Sequence, residues 1–80
     1  MITVNVKLFG TLPQRFAGYD KKNGLSVTLE PGAKIADLTD KLNISSTDAG
    51  VVATEGHVAK PDQQLTNGAC VQIFQRLYGG

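Results

Sequence analysis

Three stretches of this chain alternate apolar and polar residues, and a fourth repeats its apolar residues at helical spacing. Ile2, Val4, Val6 and Leu8 alternate with Thr3, Asn5 and Lys7. Leu25, Val27 and Leu29 alternate with Ser26, Thr28 and Glu30, and Val71 and Ile73 with Cys70, Gln72 and Phe74. A period of two marks a strand with one face on a core and the other toward water. Ile35, Leu38 and Leu42 stand at i, i+3 and i+7, opposite Asp37, Asp40 and Lys41. That is the stripe of a short amphipathic helix. Such a chain has to lay its one good helix across one face of a sheet.

The joints are read from turn chemistry. Residues 10–24 connect the first two strands, which should pair antiparallel as a long-looped hairpin. Pro13, Gly18, Asp20 and Asn23-Gly24 favour turns there, and Arg15, Lys21 and Lys22 make the segment mildly basic. It is expected to be a solvated loop, with Leu12, Phe16 and Tyr19 able to pack back or form a short helical turn. Pro31-Gly32 turns the chain toward the helix. The helix start is weakly marked, because Lys34 sits where Ser, Thr or Asp would be favoured. Its end is better marked: Asn43 tolerates the left-handed conformation and Ile44 can fold back on the last turn. Residues 45–48 read as a polar turn or one helical turn capped by Ser45 or Ser46, and residues 50–54 as a short strand. Glu55-Gly56 is a tight turn and residues 57–59 a small edge strand, ended by Pro61. Residues 62–65 look like a single helical turn, and Asn67-Gly68 is a turn before the last strand.

A right-handed crossover through the helix limits the topologies. The compact solution puts the final strand parallel to the first, in the middle of the sheet. The expected fold is α+β, a β-grasp roll with a mixed sheet of four to five strands and one main helix on one face.

Eighty residues make one domain, expected over residues 1–76 with a tail at 77–80. A chain of this size buries about 60% of its unfolded surface, so its stability should be modest. With 41% hydrophobic and 19% charged residues it has a core composition, and a net charge of +1 offers no field for nucleic acid. No apolar run approaches a membrane span, and the alternating N-terminal stretch is a strand and not a signal peptide. A lone cysteine, Cys70, excludes an internal disulfide or a self-contained cysteine-only metal site. The plain reading is a cytoplasmic protein, monomeric when free.

No phosphate-binding glycine loop and no nucleophile–base constellation is present. Cys70 reads as a half-buried strand residue, since no sequence neighbour activates it. His57 reads as solvent-exposed, without a second ligand at metal spacing. Asp37 and Asp40 read as the helix's outer face. What remains is Leu77-Tyr78-Gly79-Gly80, which ends the chain in a slim, unhindered carboxylate. Four extended residues reach about 13–14 Å, and without Cβ atoms the end fits a narrow passage. Phe9 and Phe74 point away from the core by parity and toward the same end of the sheet. They suggest a partner patch that Arg76, Leu77 and Tyr78 extend; the alternative is a satellite core under the first loop.

The chain resembles the ubiquitin-like sulfur-carrier family, that of the molybdopterin synthase small subunit and the thiamin-pathway sulfur carrier. The matching pieces are Val4-Asn5-Val6-Lys7-Leu8-Phe9, the segment from Leu29-Glu30-Pro31-Gly32 through Ala33-Lys34-Ile35-Ala36-Asp37-Leu38, Asn67-Gly68, Val71-Gln72-Ile73-Phe74 and Gly79-Gly80. It departs at Glu55-Gly56, where family members often have Asn-Gly, and at Gln75, Arg76, Leu77 and Tyr78, where they often have Pro or small apolar residues. The long first connection is closer to the molybdopterin side. The resemblance implies that an E1-like enzyme uses ATP to adenylate the Gly80 carboxylate. Sulfur then displaces AMP to give a thiocarboxylate, with Gly79 in the same tunnel, and a synthase or large subunit accepts the sulfur. The chain itself would hold no cofactor and would be a protein co-substrate, not an enzyme alone. In the molybdopterin case it would also be the small subunit of a complex. Molybdopterin, tungstopterin and thiamin pathways stay open at this point. So do two other readings, a ubiquitin-like modifier joined through Gly80 and a β-grasp binding module with an incidental Gly-Gly.

Overall fold

Strand β1 (Ile2–Phe9) keeps the alternation of its sequence, with Val4, Val6 and Leu8 buried and Thr3 and Phe9 exposed on the other side. The structure, a computed structural model, describes residues 1–45 and 49–75. Within them the chain continues through a 3-10 turn (Leu12–Arg15), β2 (Leu25–Leu29), α1 (Ile35–Lys41), β3 (Ala49–Thr54), β4 (His57–Val58) and β5 (Cys70–Gln75). The sheet order is β2-β1-β5-β3-β4. β1 pairs antiparallel with β2 and parallel with β5, and β3 pairs antiparallel with both β5 and β4. The expected five-stranded β-grasp roll is therefore the fold, with the last strand in the centre.

One side of the sheet carries the core. Val4, Val6, Leu8, Val27, Leu29, Val71 and Ile73 meet Ile35 and Leu38 of the helix, with Ile44, Ala59 and Leu65 closing the edges. Each such aliphatic side chain contributes about 1.5–3 kcal/mol by leaving water. Among the described residues nothing equivalent covers the opposite side, so parity along β1 and β5 decides which residues face outward.

The connection at residues 10–24 is not the solvated loop expected. Leu12 is fully buried, and Phe16 and Tyr19 pack on the core. The cause lies in the unequal strands. β2 reaches back only to Leu25, opposite Val6, and β1 runs on past it. The Tyr19 hydroxyl takes the vacant place, accepting the Leu8 backbone N–H at 2.8 Å. A buried backbone group without a partner costs about as much as a lost hydrogen bond, so this contact anchors the loop.

The weak helix start has an answer far away in sequence. Asp37 accepts the Lys34 backbone N–H at 2.8 Å, and the Ile35 and Ala36 N–H groups donate to the carbonyls of Gln63 and Pro61, both at 2.9 Å. Residues 62–65 are accordingly not a helical turn. Gln63 closes a turn onto the Lys60 carbonyl at 3.0 Å, and Gln64 then lies extended, bridged to Lys34. The segment is held open because the Gln63 carbonyl caps α1, a duty that a helical turn would remove. At the other end the expected stop forms. Asn43 is left-handed (φ 58°), its N–H donates to Asp40 at 3.1 Å, and Ile44 donates back to Thr39 at 2.9 Å, burying its side chain. Of the polar turn expected after it, residues 46–48 lie outside the described residues.

Two strand boundaries also differ. β2 ends at Leu29 and not Glu30, and β3 starts at Ala49 with a register shift between Ala49 and Val51. Glu55-Gly56 makes the expected tight turn, with φ of 52° and 80°. β4 stops at Val58, one residue short of expectation.

Candidate docking face at the end of the central strand

Parallel pairing places Phe9 directly beside Phe74. Their rings stack with centroids 4.6 Å apart and 12° between planes. Both stay on the outer face, 38% and 37% exposed, and neither folds under the first loop. A third apolar residue joins the same row from β3. Val51 stands opposite Phe74 on its other side and is 44% exposed. The register shift lies beyond it and sets Ala49, not Gly50, opposite Gln75. Lys7, Lys21 and Gln72 border Phe9 along a shallow groove closed by Pro13 and Tyr19. The row is thus apolar at its centre and bordered by cations on the β1 side.

At the end of this row β5 reaches Gln75, which pairs with Ala49. Its side-chain oxygen accepts the Thr11 backbone N–H at 2.6 Å. Gly10, just before, has φ +77°, and a Cβ there would lie 2.5 Å from that oxygen. Sequence reading left Gln75 as a mere departure from a pattern, since only the fold brings it to residues 10 and 11. Arg76, Leu77, Tyr78, Gly79 and Gly80, the remaining expected site residues, lie outside the described residues.

The secondary candidates separate from this face. Cys70 is exposed, not half-buried, because it sits on the uncovered side of the sheet beside Asn5. His57 is exposed, as expected. Asp37 caps the helix and does not pair with Asp40 for chemistry. Asp20 is held below its ordinary value of 3.8, chiefly by the Lys22 backbone N–H and then by the Asn23 side chain and backbone N–H. Those three donors lie at 2.8, 2.8 and 3.2 Å and fold the loop tip around its carboxylate. Among the described residues no group of three or more His, Cys, Asp or Glu could hold a metal. No helix there is long and apolar enough to cross a membrane.

No family model and no curated protein matches the chain. Solved structures do. A protein assigned as subunit 1 of a molybdopterin converting factor from Pyrococcus furiosus superposes with a TM-score of 0.73 at 22% identity, over 96% of this chain and 100% of that one. Small archaeal modifier protein 1 of Haloferax volcanii superposes with a TM-score of 0.73 at 17% identity over the same shares. A second structure of that modifier gives 0.70 at 19%, over 98% and 99%. At such identities the likeness speaks for architecture, and with the strand order above it identifies the fold as a β-grasp (ubiquitin-like) roll.

Proposed function

We propose that the chain is a sulfur carrier, a protein co-substrate that works through the Gly80 carboxylate. The observation that carries the reading is that the central strand ends beside an exposed aromatic pair and leads in sequence to Gly79-Gly80. A carboxylate is a poor acyl donor, because oxide and hydroxide leave badly. In the proposed scheme a Gly80 oxygen attacks the α-phosphorus of ATP, pyrophosphate leaves, and the acyl-adenylate remains. Sulfide attacks the carbonyl carbon and AMP leaves with the bonding pair, giving the thiocarboxylate. ATP and the groups that activate it belong to an E1-like adenylating enzyme. This chain contributes the acyl group and the surface that brings it there: Phe9, Phe74 and Val51, extended by Arg76, Leu77 and Tyr78. The likeness to a converting-factor subunit favours a molybdopterin-type synthase as the sulfur acceptor over a thiamin-type one, in the cytoplasm where ATP and reduced sulfur are at hand.

A second reading shares the adenylate but ends in an isopeptide, with a lysine of a target protein displacing AMP. The likeness to small archaeal modifier protein 1 at the same TM-score of 0.73 favours it. Intact mass after incubation with ATP, the native activating enzyme and sulfide separates the two. Replacement of one oxygen by one sulfur, absent when Gly79 and Gly80 are deleted, is the result expected of a carrier. An unshifted mass with conjugates in cell extract turns the assignment to a modifier. Neither, with an activating enzyme proven active, leaves a binding module whose two glycines are incidental.

A further inference from the structure

We infer that Gln75 is a positioning residue, which fixes the direction in which the chain leaves the sheet so that the following residues are presented to a partner. The inference rests on the reading that Gly80 is activated, whether for sulfur or for a lysine.

Three observations meet at this point. The Gln75 side-chain oxygen accepts the Thr11 N–H at 2.6 Å, across 64 positions of sequence. The side chain also lies over the α-carbon of Gly10, so closely that a Cβ there would sit 2.5 Å from its Oε1 and 2.8 Å from its Cβ. Phe74, one residue earlier, faces the opposite side of the sheet and is stacked on Phe9. Residues 74 and 75 are therefore gripped from both faces by residues 9, 10 and 11. Gln75, the last described residue of β5, is thus held on both sides.

Holding a long polar side chain still costs rotamer entropy, and a net hydrogen bond returns no more than a comparable amount. The clamp thus adds little to folding. Its gain is orientation. Four residues lie between Gln75 and Gly80, which carries the proposed reacting carbon. Fixing the base narrows the directions the end must search, and misplacement by about 1 Å is enough to cost a reaction 100-fold.

The test is ATP–pyrophosphate exchange catalysed by the native activating enzyme, with wild type, Gln75→Met and Gln75→Glu. Met keeps the length and loses the acceptor; Glu keeps an acceptor oxygen. Gln75→Met is expected to lower kcat about 10-fold while KM stays within about twofold, because the docking row is intact. Gln75→Glu is expected to restore most of that loss. Hydrogen exchange of the Thr11 amide in the free protein should be slow in wild type and Glu and fast in Met. Wild-type kcat in Gln75→Met, or an equal fall in Gln75→Glu with the Thr11 amide still protected, overturns the inference and leaves the activation of Gly80 standing. Absence of any exchange with wild type, by an enzyme active on another substrate, removes the activation reading and this inference with it.

Discussion

The phenol oxygen of Tyr19 lies 2.8 Å from the backbone nitrogen of Leu8 and 3.5 Å from its carbonyl oxygen. One side chain thereby substitutes for a stretch of strand that β2 is too short to provide. Tyr19→Phe should lower stability by about 0.5–1.5 kcal/mol, because the Leu8 N–H loses its partner while the ring still packs. Chemical denaturation measures the loss. Amide exchange should quicken at Leu8 and in the connection more than in β5.

Gly24 and Gly18 have nearly the same backbone angle, φ 77° and 74°, and very different surroundings. A Cβ at residue 24 would lie 2.4 Å from the Val6 carbonyl oxygen, whereas nothing lies within 4 Å at residue 18. Gly18→Ala should cost about 1 kcal/mol, the strain of the left-handed angle alone. Gly24→Ala adds a backbone collision and should cost about 3 kcal/mol or more. Equal midpoints for the two variants in urea would contradict this account of the hairpin.

Asp20 makes the loop tip sensitive to acid. Its folded pKa is lowered by the Lys22 and Asn23 donors, so its contribution is present above the ordinary value of 3.8 and fades as pH falls through the lower folded value. Near neutral pH that contribution is present in full and does not vary with pH. Asp20→Asn should flatten the acid limb of the stability profile between pH 3.8 and the folded value. Carbon-detected NMR titration of the carboxyl group reads the shifted pKa directly.

Phe9 and Phe74 are stacked on an uncovered surface, so their truncation should weaken docking more than folding. Phe9→Ser and Phe74→Ser are each expected to raise the KM of the activating enzyme about 10-fold or more, the effect of an interface aromatic worth about 1.4–2 kcal/mol. Lost stacking costs the fold about 0.5–1.5 kcal/mol. An unchanged KM in both would move the docking surface elsewhere.

Local periodicity made most of the sheet and the helix legible. Val4, Val6, Leu8 and Ile35, Leu38 declared their buried sides, and Asn43-Ile44 declared the helix stop. Phe9 and Phe74 were legible as outward residues because parity needs no tertiary knowledge. What escaped reading is what depends on two distant segments at once. The Pro61 and Gln63 carbonyls cap a helix that precedes them by more than twenty residues. Tyr19 serves a strand that ends ten residues earlier. Val51 joins the outer row only because β3 pairs with β5 and sets it opposite Phe74, and Gln75 meets Thr11 only because β5 lies beside β1. No propensity within any of these segments encodes the meeting.

The central place of β5 has a consequence for how the molecule comes into being. The β1–β2 hairpin and the β3–β4 hairpin flank it without being neighbours of each other, and its contacts to the first loop and those of the turn before it to β1 span 64 positions. Closing such a long loop is slow compared with forming a hairpin or a helical turn. During synthesis the 69 residues before β5 can make only local structure, and the two halves of the sheet wait for the same late segment. Folding is then a single concerted event that follows translation of β5. A chain cut short within that strand loses the cooperative unit as a whole and not merely one edge of it.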